Sequence, residues 1–313
     1  MENLLNIHQL DDSHFGKGTL GFIKASKDAD LNVSKMPKFI YEDKCLKCGK
    51  CSFGCPVDAK WSSKDFIKIA IENGAEFLSD SKVTNLIVNE NKINGVTFQK
   101  ADGDLETIYS DVVILSAGAI SSAQLLQSVG IKAGEKLFTD PFVTVGGLLK
   151  DINFNTEVSM NALVKGNHFI LSPHYSIYIA NQLEDYNAKE EDIMGIMVKI
   201  PDEGHGSVMD GKIIKENTIR DVQYLAEGTA TAGVILEKMG VDPKTIVSTV
   251  FRSAHPGGTA AIGEVVDSNL KSSVDGLYVC DASVLPQAPG APPILTILAL
   301  GKRLSKFIIS NHS

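Results

Sequence analysis

Four cysteines, at positions 45, 48, 51 and 55, set the tightest limit on how this chain folds. They lie in CLKCGKCSFGCPVDAKW (residues 45–61), a C-x2-C-x2-C-x3-C run closed by Pro56. That is the spacing with which a short loop wraps an iron–sulfur cluster. Only one further cysteine, Cys280, lies elsewhere. Clustering of this kind, behind an N-terminus without a basic-then-apolar signal pattern, reads as metal binding rather than a disulfide framework. Zinc usually takes two separated C-x2-C pairs, and there is no second pair here. The expected ligands are therefore Cys45, Cys48, Cys51 and Cys55, around a 4Fe-4S or 3Fe-4S cluster. The fourth ligand stays open, because in proteins with two such runs the last cysteine serves the other cluster. Cys55 can fold back, Cys280 can reach over, or three thiolates can hold three irons.

The rest of the chain is that of a globular protein of one large or two ordinary domains: 313 residues, 43% apolar, 22% charged. A formal charge of −8 with no Lys/Arg run excludes a nucleic-acid partner, which needs a basic face. The longest apolar stretch, around Ile294 to Leu300, falls far short of a membrane span. A cytoplasmic location is expected.

A helix is expected over residues 18–29, and another over 65–73, capped by Ser63 and stopped by Gly74. KVTNLIV and INGVTFQ, joined by the turn NENK, read as a β-hairpin. Val112 to Leu115 form a short apolar run, as in a parallel strand buried on both faces. Ser116-Ala117-Gly118-Ala119 then let a ligand approach the backbone, and Ser121 opens a helix closed by Gly130. Such strand–turn–helix units place ligands at strand carboxyl ends. Between Asp140-Pro141 and about residue 250, alternating runs such as HFILSPHYSIYIA indicate antiparallel strands, followed by a helix over 221–239. His168, His174 and His205 there read as structural. A strand at Leu277 to Val279 leads to Asp281. Pro292 and Pro293 suit the first positions of a last, strongly apolar helix, whose N–H groups and dipole favour electron-rich oxygen.

The C-terminal pieces HPGGTAAIG and GLYVCDASVLPQAPGAPPILTILALGKRL resemble the signature of the glucose–methanol–choline (GMC) family of FAD-dependent oxidoreductases. GCPVDAKWSSKDFIKIAIENGAEFL and DVVILSAGAISSAQLLQSVGI resemble its internal flavin-domain blocks, in the same order. The resemblance implies an α/β fold: a partial, Rossmann-like FAD-binding domain with a second, α+β substrate domain built on an antiparallel sheet. Divisions are expected at 1–62 (cysteine loop), 63–140 (FAD domain, first βαβ unit missing), 141–250 (substrate domain) and 251–313 (catalytic loop and last helix). No glycine turn follows an apolar strand, as the family's G-x-G-x-x-G unit does; Gly16 and Gly18 stand behind the polar stretch NIHQLDDSHF. Either a partner polypeptide supplies that unit or the chain is a shortened remnant of the family's pattern.

The resemblance further implies dehydrogenation of an alcohol CH–OH, with hydride passing to flavin and His255 as the base. An imidazole titrates near neutrality and so takes and releases a proton readily. Gly118, Ala119, Asp281 and Gly258 are the implied flavin contacts. With Pro293, Pro292 completes that set, but it stands where the family has a His or Asn, and proline offers no side-chain hydrogen bond. A cluster beside the flavin implies electrons leaving singly to an acceptor protein. The alternative is a non-catalytic iron–sulfur electron-transfer or assembly subunit that holds no FAD.

Overall fold

The computed structural model describes residues 5–312 and divides into two compact units. The first comprises Met1–Ala75, Pro141–Ile200 and Val222–Arg252; the second comprises Glu76–Asp140, Pro201–Asp221 and Ser253–Ser313.

The first unit is built on a six-stranded antiparallel sheet. Its order is Val247–Ser248, Phe142–Leu148, Ile193–Lys199, Ile170–Pro173, Ala162–Lys165 and Val33–Lys35. Strand alternation sends Val143, Val145, Leu171, Ile196 and Val198 to one face, where helices Lys17–Lys27 and Ile219–Met239 cover them. Phe22 and Ala25 come from the first helix, and Leu225, Ala232, Ile235 and Leu236 from the second, at the spacing of a helical stripe. The other face carries Phe142 and Thr144 opposite Lys199 and Met197. At its rim His174 bonds the Thr144 hydroxyl through Nδ1, at 3.1 Å.

Burial, reinforced by the charges of Arg252 and Lys199, lowers His174 to about 4. An unfolded chain takes up that proton below about pH 6.5, whereas the folded chain resists it until about 4. This contribution is therefore intact above pH 6.5 and is lost as the pH falls towards 4, by on the order of 3 kcal/mol. Urea unfolding at neutral pH and at pH 4.5 should reveal the loss, and His174→Gln should flatten it.

The second unit contains a three-stranded antiparallel meander, Lys82–Asn89, Lys92–Gln99 and Leu105–Tyr109. Glu90 and Asn91 both have positive φ, the conformation of a two-residue primed hairpin turn, so NENK turns the chain as expected. Val113–Leu115 pairs in parallel with Leu277–Val279. Helices Gly118–Ser128 and Ile294–His312 complete the unit, around a core that includes Leu115, Leu126, Leu277, Val279 and Leu304.

Several expectations change. Residues 1–62 are not a separate segment, because Val33–Lys35 forms the edge of the large sheet and helix 17–27 covers its face. Helix Lys64–Glu72 joins this unit too, so the division falls at residue 75 rather than 62, and residues 201–221 belong with the second unit. The parallel strand is not buried on both faces. Among the described residues its sheet has two strands, and Ile114 is left 45% exposed. The helix expected to start at Ser121 starts at Gly118, with Ala117 as its cap residue. The last helix starts at Ile294, so Pro292 and Pro293 precede it, and the Pro293 carbonyl accepts its first bond from Ile297.

Candidate active site

The His255 loop is fixed by backbone pairing to residues 138–140. Ala254 donates to the Thr139 carbonyl, and Phe138 and Gly257 exchange N–H···O bonds at 3.1 Å. Two glycines make this approach possible. A Cβ on Gly257 would lie 2.3 Å from the Phe138 ring, and one on Gly258, whose φ is +89°, would lie 2.4 Å from the Lys136 carbonyl oxygen.

His255 itself has φ +51° and Asp140 has φ +36°. Both are non-glycine residues in the left-handed region, and each precedes a proline, Pro256 or Pro141, which disfavours the right-handed helical basin. Such backbone conformations persist only where surrounding structure enforces them, and they cluster at functional sites. Here the two residues meet: His255 Nδ1 lies 2.9 Å from Asp140 Oδ2. The Asp140 side chain is fully buried, and the imidazole is 33% exposed. A further buried carboxylate, Asp202, accepts the Asp140 N–H at 2.9 Å and the Thr139 N–H at 3.1 Å. Lys215 neutralises Asp202 at 2.9 Å. A charged network thus holds the Asp140 turn, and Asp140 in turn orients His255.

Of the residues expected to hold flavin, Gly118, Ala119, Gly258 and Asp281 gather in the second unit, at the N-terminus of helix Gly118–Ser128. Asp281 Oδ2 accepts from the Gly118 N–H at 2.9 Å and the Ser122 hydroxyl at 2.6 Å, while Oδ1 accepts from Ser283 N at 2.8 Å. The Thr259 hydroxyl donates to the Ala119 carbonyl at 2.6 Å, and Gly258 N to the Ala282 carbonyl. Asp281 is thus a tie between two chain segments. Ser122 serves that tie, and Ser121 lies inside the helix rather than at its start. Asp281→Ala leaves three donors without an acceptor and should lower stability by about 3 kcal/mol, measured by denaturant unfolding of the cofactor-free chain. Gly118 has φ +81° and open space where a Cβ would stand, so the backbone there accepts close approach by a planar ligand. Gly258 and Thr259 also line a cavity of about 560 Å³ with residues of the 127–135 stretch. Pro293 is buried and Pro292 exposed at the head of the last helix.

Gly16, Gly18 and Gly21 do stand at G-x-G-x-x-G spacing, which the absence of a preceding strand obscures. The structure shows why they form no dinucleotide turn. They begin helix Lys17–Lys27, and its N-terminus is already occupied by the buried Glu157 carboxylate. Glu157 accepts from Gly18 N at 2.6 Å, Thr19 N at 3.0 Å and the Thr19 hydroxyl at 2.7 Å. The short strand before the helix, Ile7–His8, pairs antiparallel with Lys38–Phe39. A pyrophosphate would meet a fixed negative charge where the dinucleotide turn offers bare N–H groups.

In the first unit, Cys45, Cys48, Cys51 and Cys55 line one small cavity of about 20 Å³ with Ile40, Leu46, Val57 and Val158. Among the described residues, no three His, Cys, Asp or Glu side chains converge as a single metal ion requires. Burial raises the Cys51 thiol, against the pull of Lys38 and Lys60. Burial also acts to raise Cys55, but backbone N–H groups of Val57, Lys60 and Ala59 outweigh it and hold this thiol below its usual range. The Ala59 N–H lies 3.2 Å from the sulfur. Cys280 belongs to the second unit, half-buried near Gly301.

Asp140, Asp202 and Lys215 are the residues that sequence reasoning missed. Asp140 reads as half of an Asp-Pro boundary, and nothing local connects it with a histidine 115 positions away.

Family models described as GMC oxidoreductase match residues 2–155 and 215–301. The uncharacterized protein MJ1450 of Methanocaldococcus jannaschii is 38% identical over 301 residues, covering 92% of this chain and 77% of its own length. The long-chain-alcohol oxidase FAO4B of Arabidopsis thaliana is 23% identical over 92% of this chain, which spans 49% of that relative. In fold, the pyridoxine 4-oxidase of Mesorbium loti superposes with a TM-score of 0.74 at 16% identity, over 98% of this chain and 72% of that one. No described helix is long and apolar enough to cross a membrane.

Proposed function

Because the chain belongs to the GMC oxidoreductase family, we propose that it oxidises the CH–OH group of an alcohol to a carbonyl, with His255 as the base. The observation that carries this reading is the His255–Asp140 pair, held in left-handed backbone on a loop that matches the family's C-terminal region. Bound FAD supplies the acceptor for the hydride and its two electrons. The chain's own part is the proton: with Nδ1 turned to Asp140, Nε2 takes it from the substrate hydroxyl and passes it to solvent. Gly118, Ala119, Gly258 and Asp281 are the residues that would hold the flavin; the open space over Gly118 supports this. Pro292 and Pro293 would bring the head of the last helix to it.

The pyrophosphate end needs donors that Gly16, Gly18 and Gly21 do not offer. The two-stranded parallel sheet with its exposed Ile114 supports completion by further strands, from a partner polypeptide carrying the glycine turn. The four cysteines would hold a 4Fe-4S or 3Fe-4S cluster. Support comes from their common cavity, with its apolar walls and the N–H groups on Cys55, though the loop must widen to admit the cluster. Held there, such a cluster would supply one-electron transfer to an acceptor protein.

Anaerobic reconstitution with FAD, iron and sulfide, followed by an alcohol panel with an artificial dye acceptor, tests the reading. Dye reduction that requires FAD is the expected result. Iron uptake without flavin or turnover would favour the electron-transfer or assembly subunit instead. Cys48→Ser should bring bound iron to background and remove the broad visible shoulder of the reconstituted protein. Full iron content in that variant would exclude Cys48 as a ligand.

A further inference from the structure

In the first unit Arg252 is a cation with incomplete surroundings. Its backbone exchanges two hydrogen bonds with Phe142, at 2.8 and 3.0 Å, which fixes it at the sheet rim. The guanidinium carbon lies 5.0 Å from the Phe142 ring centroid and 4.5 Å from that of Tyr178. Ring faces attract the charge but accept none of the N–H groups that radiate in the guanidinium plane. Nε and Nη2 are buried and have no hydrogen-bond partner.

Two desolvated guanidinium nitrogens without an acceptor are unfavourable, and the planar fork they belong to matches a carboxylate or phosphate. The surroundings suit an anion in other ways. His174 is close enough for Arg252 to act on it electrostatically, and Lys199 adds positive charge on the same sheet face. Tyr178 is 49% exposed, so an outward swing of its ring uncovers the guanidinium edge.

We propose that Arg252 binds the carboxylate or phosphate group of a small organic anion, at a site formed within the first unit.

Acetate and inorganic phosphate are titrated into the cofactor-free chain at matched ionic strength against chloride, followed by thermal unfolding and calorimetry. At ten times its dissociation constant, the recognised anion should raise the midpoint by about 3 °C. Arg252→Met should abolish both the shift and the calorimetric signal, and Arg252→Lys should keep part of each. A preference for one anion tells carboxylate from phosphate. Absence of binding by either anion, or binding unchanged in Arg252→Met, overturns the site. Arg252-dependent anion binding with no alcohol turned over would sink the catalytic reading and leave the site standing. Turnover of neutral alcohols without anion binding would do the reverse.

Discussion

Replacing His255 by alanine should lower kcat by about 10³-fold at unchanged FAD content, the loss typical of removing a positioned general base. The left-handed backbone at His255 makes the choice of variant matter, since alanine tolerates φ +51° poorly. His255→Asn is the companion, because asparagine visits that region readily and can still reach Asp140 while offering no basic nitrogen. If both variants keep the flavin and both lose turnover, the loss is chemical. Turnover within a few-fold of wild type in His255→Asn would exclude the imidazole as the base.

Asp140→Asn should have the next largest effect, a fall of roughly 10²-fold or more in kcat with KM little changed. The fully buried carboxylate accepts from His255 Nδ1 at 2.9 Å and, in the proposed reaction, leaves Nε2 to face the substrate. An amide in its place can present N–H to that nitrogen, which favours the wrong tautomer and withdraws the charge that steadies an imidazolium. Asp202 provides the contrast. It bonds the Asp140 backbone rather than the ring, so its loss should lower stability and activity together. An Asp140→Asn enzyme with wild-type kcat would reduce the carboxylate to a structural partner.

The elements with strong local signals were legible from residues alone. The strand at Leu277–Val279, the hairpin around NENK and the long helix ending at Met239 follow from apolar runs, turn chemistry and helical periodicity. His255 was legible through its glycine-rich neighbourhood and the blocks around it. The signals failed where a distant segment supplied the partner. Ser121 reads as a cap, but Asp281, 160 positions further on, ties the helix start through Gly118 and Ser122. The three-residue strand Val33–Lys35 is too short for any periodicity, and only its pairing with Ala162–Lys165 makes it part of the sheet.

By itself, then, the order of residues determined the chemistry on offer: four thiols in one loop, an imidazole before Pro-Gly-Gly, and a small-residue turn after an apolar strand. The tertiary structure alone decided which of these groups have partners. It brought Asp140 to His255 across 115 positions, packed Arg252 between two rings, and filled the glycine-spaced helix start with Glu157. The physical reason is that periodicity and propensity act over a few residues. The directional hydrogen bonds and charge pairs that define a site form between segments whose meeting is set by burial of the core.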